Sequence, residues 1–190
     1  MKALTLILIA GLLGTMLLAS MGRAAPGGAQ NFTIGDMRVQ TLKGYTYTYL
    51  SKQTTLKKIK ETVGELMPKL VGAIDSGRIH PAGPVIFTYH GVTGQQDKPF
   101  TLDIGIMNKE GATNPDGFTT DKVAAEQCAT VIYSGTVDNI GQAYGKLFGQ
   151  LGQKGLQATD VTREVYLYWE DDNSENNIMQ VQAVLSASGM

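Results

Sequence analysis

Apolar and polar positions along this chain change period several times, and one order of periods runs twice. From Gly44 to Tyr49, Tyr45, Tyr47 and Tyr49 fall on one side and Thr46 and Thr48 on the other, a period of two built from strong strand formers. Leu56, Ile59, Val63, Leu66, Met67, Leu70 and Ile74 then return at steps of three and four, which predicts an amphipathic helix. Thr54 or Thr55 can cap its start and Ser76-Gly77 can end it. Pro68 inside it cannot donate to the Gly64 carbonyl, and must bend or split the axis. His80-Pro81-Ala82-Gly83-Pro84 predicts a turn, Val85 to His90 a strand, Gly91 to Pro99 a loop and Phe100 to Met107 another strand.

The same succession returns after the Asn-, Gly- and Pro-punctuated loop Asn108 to Asp116. Gln127 to Tyr133 predicts a strand, and Ser134-Gly135-Thr136 a turn ending in a helix cap. Val137, Ile140, Tyr144, Leu147, Phe148 and Leu151 predict a helix that Gly155 closes. Glu164 to Trp169 is a strand, Glu170 to Asn177 a solvated acidic loop and Ile178 to Leu185 the last strand. A weaker alternation over Met37 to Leu42 predicts a short strand ahead of all these. The fold class is therefore α+β: duplicated strand-helix-strand-strand units, with halves at about residues 37–110 and 117–186. Two similar halves leave a groove between them, and such grooves hold small molecules. Gly141, Gly145, Gly149 and Gly152 run along one side of the second helix, and close approach of a neighbouring backbone is the expected reason. They lie inside the helix, whereas a dinucleotide-binding loop needs its glycines between strand and helix.

The N-terminus changes the compartment. Met1-Lys2, the apolar run Ala3 to Ala19 and the small-residue exit Gly22-Arg23-Ala24 have the layout of a secretory signal over residues 1–24, with cleavage after Ala24. The other reading is an uncleaved membrane anchor, and only then is a membrane a partner. Residues 25–36 are expected as a tether and 37–186 as the domain, exported to the periplasm or cell exterior. Removing residues 1–24 takes two of the 16 basic residues and none of the 17 acidic ones, so the net charge of −1 becomes more negative. Such a chain lacks the clustered cations that nucleic acid requires. Cys128 is the only cysteine, which forbids an intramolecular disulfide, and it reads as a small buried hydrophobe in a strand. His80 and His90 are the only histidines, and no Cys or His cluster has ligand spacing, so neither a metal nor a cofactor is expected.

Ala82-Gly83-Pro84, Tyr89-His90-Gly91 and Asp103-Ile104-Gly105 occur in the first half. Ser134-Gly135, Ile140-Gly141-Gln142-Ala143-Tyr144 and Arg163-Glu164-Val165-Tyr166-Leu167 occur in the second. In this order and spacing the strings resemble the GyrI-like effector-binding family, the ligand-sensing domain of many AraC-type and multidrug-responsive regulators. The resemblance spans roughly Met37 to Leu185. It implies one antiparallel sheet, helices on one face and a ligand cleft between the units, where relatives take bulky aromatic and cationic compounds. It also implies that an acid in the strand Glu164-Val165-Tyr166 faces the ligand, which makes Glu164 the polar anchor with Tyr166 beside it. The acid that relatives carry in the last strand corresponds to Gln180 here, and no helix-turn-helix module is expected within these residues.

Glu164 and Tyr166 are two apart in a strand and share a face; Trp169 falls on the opposite face unless a bulge intervenes. Asp103, between Leu102 and Ile104, either lines the same cleft from the other half or faces solvent on the uncovered side of the sheet. Tyr45, Tyr47 and Tyr49 are either cleft wall or core face, with the core or the sheet surface preferred; Tyr89, Tyr133 and Tyr144 are the better wall candidates. The function expected is non-catalytic binding of a small aromatic or cationic molecule. One alternative is a hydrolase with Glu164 as general acid or base and Tyr166 assisting, though no Ser-His-Asp or Cys-His set is identifiable. The other is haem binding through His90, because haem-binding proteins of the SOUL type are similar in fold.

Overall fold

A computed structural model of the chain describes residues 31–186. The expected signal over residues 1–24, and the tether as far as residue 30, lie outside the described residues. Among the described residues there are nine strands: β1 Phe32–Ile34, β2 Arg38–Leu42, β3 Tyr45–Thr54, β4 Pro81–His90, β5 Phe100–Asn108, β6 Thr119–Val123, β7 Glu126–Gly135, β8 Ala158–Tyr168 and β9 Ile178–Leu185. Two helices, α1 Ile59–Asp75 and α2 Ile140–Gln153, each follow one 3-10 turn. Every strand pairing is antiparallel, in the order β1-β7-β9-β8-β4-β5-β3-β6, with β2 beside β1 on the outer side of β7. The order is symmetric about the β4–β8 pair: β3-β5-β4 on one side mirrors β7-β9-β8 on the other. The doubled pattern in the sequence is thus one sheet.

Both helices lie on one face of it. Ile59, Val63, Leu66, Met67 and Leu70 of α1 pack on Phe87, Leu102 and Ile104, while Ile140, Ala143, Leu147 and Leu151 of α2 pack on Val131, Val181 and Ala183. These two apolar stripes are the ones the three- and four-residue steps predict.

Several local expectations give way. β4 begins at Pro81, where a turn was expected; its ladder slips between Pro81 and Val85, so the prolines sit where the register is irregular. β6 was not expected, because Thr119-Thr120-Asp121-Lys122 shows no apolar alternation; its partner interactions are Thr120 with the Thr48 hydroxyl (2.9 Å) and Asp121 with the Tyr49 hydroxyl (2.7 Å). Phe32–Ile34, at the end of the expected tether, pairs with β7, and Ser134 and Gly135 extend β7 rather than turn. Thr55 precedes the 3-10 turn ahead of α1 without a side-chain cap, and the Thr54 hydroxyl bonds Thr62 instead (2.8 Å). α1 continues through Pro68 without splitting. The glycine row of α2 has no packing reason: a Cβ on Gly141, Gly145, Gly149 or Gly152 would meet nothing within 4 Å.

Two short links decide the shape. β2 reaches β3 through Lys43-Gly44, and β6 reaches β7 through Ala124-Ala125. Yet β7 and β3 are five strand steps apart, about 24 Å in a flat sheet. A two-residue link bridges at most about 11 Å between the flanking Cα atoms. The sheet therefore curls until its two ends meet. The helix-free face is the inside of the curl, because Tyr45 of β3 packs with Val165 of β8 and feels the charges of Arg163 and Glu126. This face was expected to be uncovered, but Tyr47, Ile86 and Val165 are buried there.

Gly44 is where the links touch: a Cβ at that position would lie 2.7 Å from the Val123 carbonyl oxygen and 3.1 Å from the Ala125 nitrogen. Gly44→Ala is expected to lower the unfolding free energy by about 1–3 kcal/mol. Gly145→Ala, in open space on a helix, should raise it by about 0.5–1 kcal/mol. Urea midpoints of the two variants check both signs; an unaffected Gly44→Ala would contradict the contact between the links.

Candidate functional site

A glutamate stands in the middle of the helix-covered face. Across the sheet, Glu164 of β8 is flanked by Phe87 of β4 and Val181 of β9, whose own neighbours are Ile104 and Val131. It is the one charged position in an otherwise apolar row, and it is only 5% exposed. The Tyr144 hydroxyl, from α2, donates to its Oε1 (2.9 Å), and the Tyr166 hydroxyl, two residues along β8, donates to its Oε2 (2.8 Å). Tyr89 of β4 turns its hydroxyl toward the same carboxylate. All three partners are neutral donors. Among the described residues no Lys, Arg or His forms an ion pair with Glu164.

Burial pushes the Glu164 carboxyl above the usual glutamate range, and the hydrogen bonds from Tyr166, Tyr144 and Tyr89 pull it partly back. The same burial, with the glutamate's charge alongside, raises Tyr89, Tyr144 and Tyr166 well above an ordinary phenol. The tyrosines therefore stay protonated and act as donors.

Aromatic rings extend the site. Tyr166 packs on Phe87 with centroids 4.7 Å apart, and Trp169 meets Tyr166 edge-on at 5.4 Å. The ladder slips between Tyr166 and Tyr168, and Trp169 lies beyond the end of β8 against the cores of both helices, as Tyr166 does. The irregularity reconciles Trp169 with a face that simple alternation denies it. Asn177 fixes the turn that follows: its Oδ1 accepts from the Glu170 N–H (2.9 Å), and its Nδ2 donates to the Asp171 carbonyl (2.6 Å).

Glu164, Tyr166, Tyr89, Tyr144 and Trp169 thus come together, and Asp103 and Tyr133 do not join them. Asp103 pairs with Thr88 and Ser51 on the inner face of the curl, the opposite side from Glu164. There its Oδ2 is 2.7 Å from Nε2 of His90, the residue the haem alternative required as an axial ligand. Tyr133 is fully buried under α2, donates to the Thr136 carbonyl (2.5 Å) and stacks on Phe32. Gln180 pairs with Val165 and Ile132, so it too faces inward, and its lack of charge takes nothing from the Glu164 site. Phe87 is the contributor that the sequence reading missed; its place two residues before Tyr89 on one strand was the available signal.

A helix-backed antiparallel sheet with one buried acid among aromatic rings describes a class of small-molecule-binding domains. The family model for the GyrI-like small molecule binding domain matches residues 35–182, and the chain belongs to that family. Among solved structures, SAV2435 bound to tetraphenylphosphonium is similar over 80% of this chain and 94% of its own, with TM-score 0.62 and 12% identity. The C-terminal domain of EcmrR is similar over 80% and 97%, with TM-score 0.62 and 17% identity. A hydrolase from Listeria innocua is similar over 79% and 91%, with TM-score 0.51 and 8% identity. At these identities the likeness is one of fold. No curated protein matches the chain in sequence.

Because Glu164 holds its proton more tightly folded than unfolded, its contribution to stability is complete below the ordinary glutamate range and is lost as pH rises through the raised value. Across about pH 4 to 7 the urea midpoint of the native protein should fall relative to that of Glu164→Gln. Parallel midpoints would remove the assignment. Tyr144→Phe deletes a donor to the charged form and should move the Glu164 titration further upward, read by carbon-13 NMR of the carboxyl.

Proposed function

We propose that this domain binds a small aromatic cation, without transforming it, in a cleft between its two halves and outside the cytoplasm. The observation that carries the reading is Glu164: a carboxylate deep among rings, held by neutral donors and ion-paired with no side chain among the described residues. A cation brought beside it supplies the charge that water no longer solvates. Tyr166, Trp169, Tyr89 and Phe87 offer ring faces and edges, and each cation–π contact contributes about 0.5–2 kcal/mol. A delocalised cation costs less to desolvate than an ammonium, which favours the aromatic class. SAV2435, with which this chain shares its fold, was captured with a compound of that kind, tetraphenylphosphonium. The apolar run Ala3 to Ala19 behind Lys2 supports export.

Titration of the purified protein with tetraphenylphosphonium should show saturable binding, weakened roughly ten- to a hundredfold in Glu164→Gln, or about 1.4–2.8 kcal/mol. Equal binding by both proteins would set the reading aside. Mass spectrometry of the protein recovered from its native host should find Ala25 at the N-terminus; a retained Met1 would favour a membrane anchor.

A further inference from the structure

A fourth hydroxyl stands beside the three phenols at Glu164. Thr162 lies two residues before the acid on β8, on the same face, between Tyr89 of β4 and Ala183 of β9. Its hydroxyl meets that of Tyr144, which donates to Glu164 Oε1 (2.9 Å). Glu164 is buried, whereas Thr162 is half-buried and keeps part of its surface in water. Glu164, Tyr144 and Thr162 therefore form a short line of oxygens leading from the interior toward solvent.

Such a line serves both states of the acid. The carboxylate accepts from Tyr144, from Tyr166 (2.8 Å) and from Tyr89. A phenol oxygen also accepts. When Glu164 carries a proton, its O–H donates to the Tyr144 oxygen, and the Tyr144 O–H turns to Thr162. Neither state strands a buried donor, which would otherwise cost about 1–3 kcal/mol.

The surroundings supply no fixed countercharge. Toward the carboxyl β4 presents Tyr89, α2 Tyr144 and β8 Tyr166, all neutral. Its neighbour on β9 is Val181, and α1 covers the sheet with an apolar stripe. Asp172, in the loop after β8, acts on Tyr166 and is itself an acid. Among the described residues no cation pairs with Glu164. A buried carboxylate without a countercharge takes up a proton, so the proton and a bound cation compete for one place. We propose that the Glu164 site exchanges a proton for its cation, and that Thr162 is a positioning residue that gives the proton its way out. This rests on the reading of Glu164 as the cation's anchor. As the cation enters, the Glu164 O–H bond breaks and its electron pair stays on the carboxylate. The proton passes to the Tyr144 oxygen, the Tyr144 hydrogen moves to Thr162, and Thr162 gives its own to water. One positive charge enters and one leaves, and the cargo is let go as the medium turns acid.

Tetraphenylphosphonium has no ionisable proton, so any pH dependence of its binding belongs to the protein. Calorimetric titration of the purified protein across about pH 4 to 8 tests the exchange. Kd should rise about tenfold for each unit of pH below the Glu164 titration and level off above it. Heats in two buffers of different ionisation enthalpy should show about one proton released per cation on the sloping limb and none on the plateau. Thr162→Val keeps the shape but removes the acceptor that the protonated state needs. The bend in its profile should move down by about half to one pH unit, the worth of one hydrogen bond, and Thr162→Ser should restore it. Saturable binding with a flat profile and no proton release would overturn the exchange and leave cation binding standing. A bend that stays in place in Thr162→Val would remove Thr162 from the path. No binding at any pH would overturn the exchange together with the reading beneath it.

Discussion

The sheet cannot be flat, and the rest of the molecule follows from that. Lys43-Gly44 and Ala124-Ala125 join strands that would otherwise stand at opposite ends of the sheet. Both links cross the same gap, and Gly44 lets them lie against each other. Once curled, the sheet has a convex and a concave face with different needs. The convex face exposes broad apolar stripes that only helices can cover. The concave face is lined by its own side chains, with Tyr45 and Tyr49 packed against the buried Tyr47, Ile86 and Val165.

Each face buries one acid that is not fully neutralised, in a different way. On the convex side Glu164 is surrounded by phenols, which lend hydrogen bonds without charge. On the concave side Asp103 leans on an imidazole and shares a polar row with a guanidinium. Glu164 and Asp103 are separated by little more than the thickness of one sheet, since Phe87 and Thr88, their cross-strand neighbours, are adjacent in β4.

Period and spacing were enough to read both helices and seven of the strands, because each has a pattern of its own. The doubled order was legible for the same reason. β6 was not, since an edge strand built of Thr119, Thr120, Asp121 and Lys122 buries little and needs no alternation. Glu164 with Tyr166 could be paired from a spacing of two, and the resemblance pointed to the acid. Asp103 could not be placed, because alternation says that a residue has a side but not which side the helices cover. Trp169 depended on a slip in the ladder, which leaves no trace in hydropathy. The curl itself was hidden in four residues, Lys43, Gly44, Ala124 and Ala125, whose meaning appears only once the strand order is known.

The helix α2 carries Tyr144 to the buried acid, and its outward side is a bare strip of hydrogen atoms at Gly141, Gly145, Gly149 and Gly152. Such a segment has little winding tendency of its own. It keeps its shape because Ile140, Ala143, Leu147 and Leu151 lean on the sheet. One wall of the Glu164 site is therefore rigid only while docked, and its amide protons should trade with deuterium well before those of α1. The phenol that steadies the acid is mounted on the part of the domain with the least reason to stay wound once it lifts away.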